Sequence, residues 1–111
     1  MGSVVLVFLD GVGLGEADGR NPLFDPGLPR LRARLGRALV RGCAGEGGDL
    51  LCRELDATLG VPGLPQSATG QTALFTGLNA PARIGGHRTG YPSSDLIAML
   101  KEHSLFVRAR A

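Results

Sequence analysis

Two hydroxyls, Ser67 and Thr69, stand in Gln66-Ser67-Ala68-Thr69-Gly70-Gln71-Thr72, where the local pattern puts them at the start of a helix. The preceding Gly60-Val61-Pro62-Gly63-Leu64-Pro65 is rich in loop formers, and Ala73-Leu74-Phe75-Thr76 followed by Gly77 reads as a short helix with its terminal glycine. Ser67 therefore falls at or next to the N-cap. Free backbone N–H groups and the positive end of the helix dipole meet there, an arrangement suited to an anion such as phosphate. A serine in that place caps the helix, which is its commoner role, or acts as a nucleophile when something lowers the pKa of its hydroxyl.

Asp10 is the second chemically suggestive residue. The apolar, β-branched run Val4-Val5-Leu6-Val7-Phe8-Leu9 ends abruptly in Asp10-Gly11-Val12-Gly13-Leu14-Gly15. A run apolar at nearly every position predicts a central parallel strand covered on both faces. Ligands of open α/β sheets collect at the carboxyl ends of such strands, where Asp10 would sit. An aspartate there is a hard ligand for a divalent metal, and a bound metal could also hold the Ser67 oxygen and favour its alkoxide. The bland alternative is an aspartate capping a turn. A dinucleotide fingerprint fits poorly, because Glu16 stands where Gly or Ala is required; a phosphate P-loop fails for want of Gly-Lys-Ser/Thr. An aspartyl nucleophile of the haloacid dehalogenase kind would need a second aspartate where Val12 stands.

Asp10 and Ser67 in these contexts resemble the alkaline phosphatase superfamily, in particular the branch with cofactor-independent phosphoglycerate mutase and phosphopentomutase and its small metalloenzyme-domain proteins. The residues that carry the likeness are Val7-Phe8-Leu9-Asp10-Gly11-Val12-Gly13, Asn21-Pro22-Leu23, and the long stretch from Asp56-Ala57-Thr58-Leu59-Gly60 through Gln66-Ser67-Ala68-Thr69-Gly70-Gln71-Thr72. The resemblance implies a three-layer α/β/α sandwich, present here as its N-terminal portion, with residues 1–111 forming part of a single metalloenzyme domain. It implies Asp10 as a metal ligand and Ser67 as both nucleophile and metal ligand, with Thr69 as the runner-up nucleophile. Gly11, Asn21 and Ala68 become substrate contacts, and the cofactors are two divalent ions, manganese or zinc; His87, by its place in the loop over 78–92, is a further candidate contact, although a loop histidine is more often a solvated surface residue. Ala68 and Gln71 replace the glutamate and histidine of the mutase serine motif, which points away from the exact mutase reaction. Most ligands of the two metals come from the later part of a longer domain. The histidines here are only His87 and His103, and no Asp-His pair occurs. The expectation is a metal-dependent phosphatase or phosphomutase, acting on a small phosphorylated substrate, of which this chain by itself binds metal at most partially and does not turn over.

Composition sets the competing classes. A formal net charge of +2 gives no electrostatic case for nucleic acid. The apolar run at the start is too short for a signal-peptide core, and nothing approaches a membrane span, so a cytoplasmic protein with no membrane partner is expected. Cys43 and Cys52 lie outside any Cys-x-x-Cys pattern. They can face each other across a hairpin, and reduced, partly buried thiols are the expected state. Arg83 and Arg88 could pair with a phosphate, although exposed arginines usually do not. His103, near a helix C-terminus, reads as structural. A hydrophobic content of 43% suits a packed domain. The competing function is a non-catalytic α/β module that uses exposed apolar surface to self-associate or bind a protein partner.

The elements needed to position these residues are a strand over 3–9, a Gly-, Asp- and Pro-rich loop, and a short helix over 28–35. Strands over 37–43 and 50–55 follow, separated by a turn at 44–48. After the helix behind Ser67 comes a loop over 78–92, then a helix from Ser93 or Ser94 carrying Leu96, Ile97 and Leu100 on one face. The last residues read equally as strand or helix.

Overall fold

The computed structural model describes residues 4–24 and 28–110. The chain divides into two compact units, Met1–Leu55 and Asp56–Ala111.

In the first unit, residues 4–9 form no ladder with any described strand and are exposed, Val4 at 98% and Val7 at 75%. This differs from the central strand that the apolar run predicts. A strand buried on both faces needs neighbours to accept its backbone bonds, and the described residues provide none. Ser3, the first residue of the expected strand, lies outside the described residues. Helix α1 (Pro29–Leu35) matches the expected segment, opening with proline in its first turn and closing at Gly36.

The hairpin departs from expectation. Residues 37–43 form turns, with the Cys43 amide donating to the Val40 carbonyl at 3.0 Å. The two strands are instead β1 (Gly45–Gly47) and β2 (Leu50–Cys52), paired antiparallel with Gly45 opposite Cys52 and Gly47 opposite Leu50. The glycine stretch expected to be the turn is thus mostly strand, and only Gly48-Asp49 connects the two. A two-residue connection needs a left-handed first residue, and Gly48, at φ 57°, supplies it. Gly45 leaves room for the Arg37 side chain. The Arg37 guanidinium donates to the Ala44 carbonyl at 3.1 Å, and a Cβ on Gly45 would lie 2.9 Å from its Nη1. Among the described residues this hairpin is the one sheet, so the central sheet of a three-layer sandwich is not displayed by them.

The second unit is helical: α2 (Ser67–Thr76), α3 (Ala80–Ile84), α4 (Ser94–His103) and α5 (Leu105–Arg110). Helix α3 lies in the segment expected to be loop. Its signal is Asn79, whose side chain caps the Ala82 amide at 3.2 Å, followed by proline in the first turn. The terminal segment resolves as helix.

The core of this unit is Leu96 of α4, completely buried with Ala68 and Ala80; Ala73, Ile84 and Met99 pack around them. Leu96, Met99 and Leu100 turn inward at helical spacing, whereas Ile97 is 41% exposed. The buried face of α2 consists largely of threonines. Thr72 donates to the Ala68 carbonyl at 2.7 Å and Thr76 to the Thr72 carbonyl at 2.6 Å, so each hydroxyl is satisfied within its own helix. Compact, internally bonded side chains let α2 approach α4 closely without stranding a polar atom. Phe75 and Phe106 add a tilted ring contact between α2 and α5, with centroids 5.5 Å apart.

Candidate functional site

Ser67 is the first residue of α2 and is half-buried; Gln66, extended at φ −132° and ψ 150°, is the N-cap. The helix ends as expected at Gly77, left-handed at φ 72°, whose N–H donates to the Ala73 carbonyl at 2.8 Å.

The amides at this helix start are engaged by the protein's own main chain. The N–H groups of Ala68 and Thr69 both donate to the Arg88 carbonyl, at 3.1 and 3.3 Å. A backbone oxygen thus occupies the position that the sequence suggested for an anion at Ala68, and an anion binding there would have to displace it. Thr69 closes the same clamp. Its hydroxyl donates to the Gln66 carbonyl at 3.2 Å and accepts the Arg88 N–H at 3.2 Å. Fully buried, Thr69 has no surface to offer a substrate. Of the two candidate nucleophiles, Ser67 is the accessible one.

The loop ahead of Ser67 is fastened at three points. Asp56 accepts from the Thr58 amide at 2.9 Å and from the Thr58 hydroxyl at 2.7 Å, which holds the carboxyl below its ordinary pKa. Asn79 donates to the Leu59 carbonyl at 2.9 Å, and a ring nitrogen of His87 lies 3.1 Å from the Val61 carbonyl. These fastenings hold a sharp reversal in which Leu59 is left-handed at φ 53°, a conformation that costs a leucine about 1–2 kcal/mol. His87 therefore serves the loop by geometry: it is half-buried against main chain, and its ring lies 3.6 Å from where a Cβ on Gly63 would be. The sequence missed Asn79 as a tether and Arg88 as a main-chain acceptor. Asn79 was findable from its place before Ala80-Pro81, and Asp56 from its spacing to Thr58. Nothing local to Arg88 marks its carbonyl.

In the first unit, Asp10 is exposed on a turn, its Oδ1 accepting from the Gly11 amide at 3.0 Å. Gly11 is left-handed there at φ 71°. Asn21 forms the Asx turn that its position before Pro22 suggests, accepting from the Leu23 amide at 3.0 Å, and its Nδ2 donates to the Glu16 carbonyl at 2.8 Å. Its amide sits so close over Gly15 that a Cβ there would meet Nδ2 at 3.0 Å. Asn21 is thus engaged in holding the loop after Asp10.

Among the described residues no three of His, Cys, Asp and Glu gather in a group that could hold a metal ion. Asp10 offers one carboxylate, and among the described residues it belongs to no such group. No helix among the described residues is long and apolar enough to cross a membrane. Comparisons with protein families, curated proteins and solved structures find no match for this chain.

Proposed function

We propose that this chain carries part of a phosphoryl-transfer site, with Ser67 as the hydroxyl that accepts the phosphoryl group and Asp10 as one oxygen ligand of a divalent ion. The observation that carries this reading is the position of Ser67: half-buried at the first residue of α2, behind a loop held by Asp56, Asn79 and His87, while Thr69 is buried and bonded. The likeness of the segments around Asp10 and Ser67 to the alkaline phosphatase superfamily supports it. Ser67 would receive phosphorus from a phosphomonoester and form a phosphoserine as the alcohol leaves, and water would later release phosphate. The fixed loop orients the hydroxyl, while the Ala68 and Thr69 amides, bonded to the Arg88 carbonyl, would bind the transferred group only after that oxygen is displaced. The remaining metal ligands would come from groups beyond the described residues. Turnover by this chain alone is not expected.

The test is a phosphomonoester incubation with manganese or zinc, followed by peptide mass spectrometry. Phosphate on Ser67 in the wild-type chain, lost in Ser67→Ala, supports the reading; label that survives Ser67→Ala excludes it. Calorimetric metal titration reports on Asp10, because affinity unchanged in Asp10→Ala would remove it from any metal site.

A second reading rests on the exposed run at 4–9. Six consecutive apolar residues, with Val5 82% and Leu9 60% exposed, suit a non-catalytic module that self-associates. Sedimentation velocity separates the two readings, since a stable dimer without phosphoserine supports the second alone.

A further inference from the structure

Cys43 and Cys52 are both free thiols, and their sulfurs lie 3.9 Å apart. The contact is built by the hairpin rather than by chance exposure. Cys52 ends β2 opposite Gly45, and Cys43 stands two residues before Gly45, on the turn that leads into β1. That turn is held by the bond from the Cys43 amide to Val40, by Arg37 on the Ala44 carbonyl, and by Glu54, which accepts from the Ala44 amide at 3.4 Å. The two cysteines share a cavity of about 290 Å³ whose wall includes Leu35, Arg37 and Leu50. Cys43 is buried, at 2% exposure, while Cys52 is half-exposed.

We propose that Cys43 and Cys52 form a reversible intramolecular disulfide that covalently closes the hairpin, with a low-molecular-weight disulfide such as glutathione disulfide as the oxidant. The accessible Cys52 thiolate attacks one sulfur of glutathione disulfide, forming a mixed disulfide and releasing one glutathione thiolate. Cys43 then loses its proton to solvent and attacks Sγ of Cys52. The Cys43–Cys52 bond forms, the bond to glutathione breaks, and the second glutathione leaves as thiolate. The protein's two sulfurs are oxidised by two electrons and glutathione disulfide is reduced by two. Burial pushes the Cys43 thiol up, and the neighbouring Cys52 adds to that, which agrees with Cys43 resolving rather than initiating. Joining sulfurs at 3.9 Å requires a movement of somewhat under 2 Å to reach bonding distance, about 2.05 Å. Reduction by excess thiol reverses the sequence. The closed form would bind residues 43–52 into one covalent ring and fix that wall of the cavity.

The experiment equilibrates the full chain in glutathione redox buffers, folded and in urea, and reads thiol content, intact mass and the linked peptide. The expected product is a monomer that has lost two hydrogens, with Cys43 joined to Cys52. The folded chain should form it at least roughly tenfold more favourably than the unfolded one, because the fold presents the thiols together. In Cys43→Ser the Cys52–glutathione adduct should accumulate unresolved. Wild-type chain that stops at the glutathione adduct, forms disulfide-linked dimers, or shows no advantage of the folded state would overturn the proposal.

Discussion

At Thr69 one hydroxyl donates to Gln66 and accepts from Arg88, and this pair of bonds ties the start of α2 to the 87–89 segment. Replacing it with the isosteric valine would leave the Arg88 amide without its acceptor, so Thr69→Val should cost about 1–3 kcal/mol in urea unfolding. Thr69→Ser should recover most of that loss. Asp56 gives a second prediction at this scale. Its carboxyl is held below the ordinary value of 3.8 by the Thr58 hydroxyl and amide. The resulting stabilisation of the loop is fully present above that ordinary value and fades as pH falls through the lower folded value. The protection of the Thr58 amide, its exchange rate taken relative to that of an unstructured peptide at the same pH, should therefore fall in acid in the wild type, and Asp56→Asn should flatten the dependence. These roles were partly legible in the sequence. The Asx turn at Asn21 and the Asp56-x-Thr58 spacing follow from short-range chemistry, whereas the acceptor role of the Arg88 carbonyl depends on a contact 19 or 20 residues away in the chain, which no local pattern encodes.

Helix α2 tests the glycine rules at two positions with opposite outcomes. Gly70 sits inside the helix at an ordinary backbone angle, and an added Cβ there would meet nothing within 4 Å. Gly70→Ala should stabilise the second unit by roughly 0.5–1 kcal/mol in thermal or urea unfolding. Gly77 holds the left-handed C-cap, so Gly77→Ala should destabilise it by about 1 kcal/mol in the same measurement. The sequence announces α1 and α2 through their terminal glycines, Gly36 and Gly77, and α4 through Ser93 at its start and the apolar spacing of Leu96 and Leu100. It announces β2, which lies within the expected strand over 50–55, but not β1, three residues of which two are glycine. Strands that short are set by their connecting turn and by the Arg37 side chain, and neither leaves a period-two pattern. The expected strand over 37–43 fails for the same reason: Val40 and Cys43 are drawn into a turn.

For the molecule as a whole, the residues with the clearest chemistry fall in separate units, Asp10 in one and Ser67 in the other. Their partnership is therefore a proposal drawn from motif resemblance, and the phosphoserine and metal experiments address it directly. Self-association through residues 4–9, the second reading proposed above, is tested on the whole chain. Val5→Lys with Val7→Lys should shift any dimer toward monomer in sedimentation, without altering α2–α5 by circular dichroism, because these residues are exposed and lie in the first unit. A dimer that persists in this variant would place the interface elsewhere.

The threonine face of α2 has a mechanical consequence. Thr72 and Thr76 spend their hydroxyl protons on their own helix, so they bring no directional bond to the contact with α4. Registry along that contact is left to shape, chiefly the fit of Leu96 beside Ala68 and Ala80. A bulkier residue at Ala68 or Ala80 would press directly on Leu96 and overpack that contact.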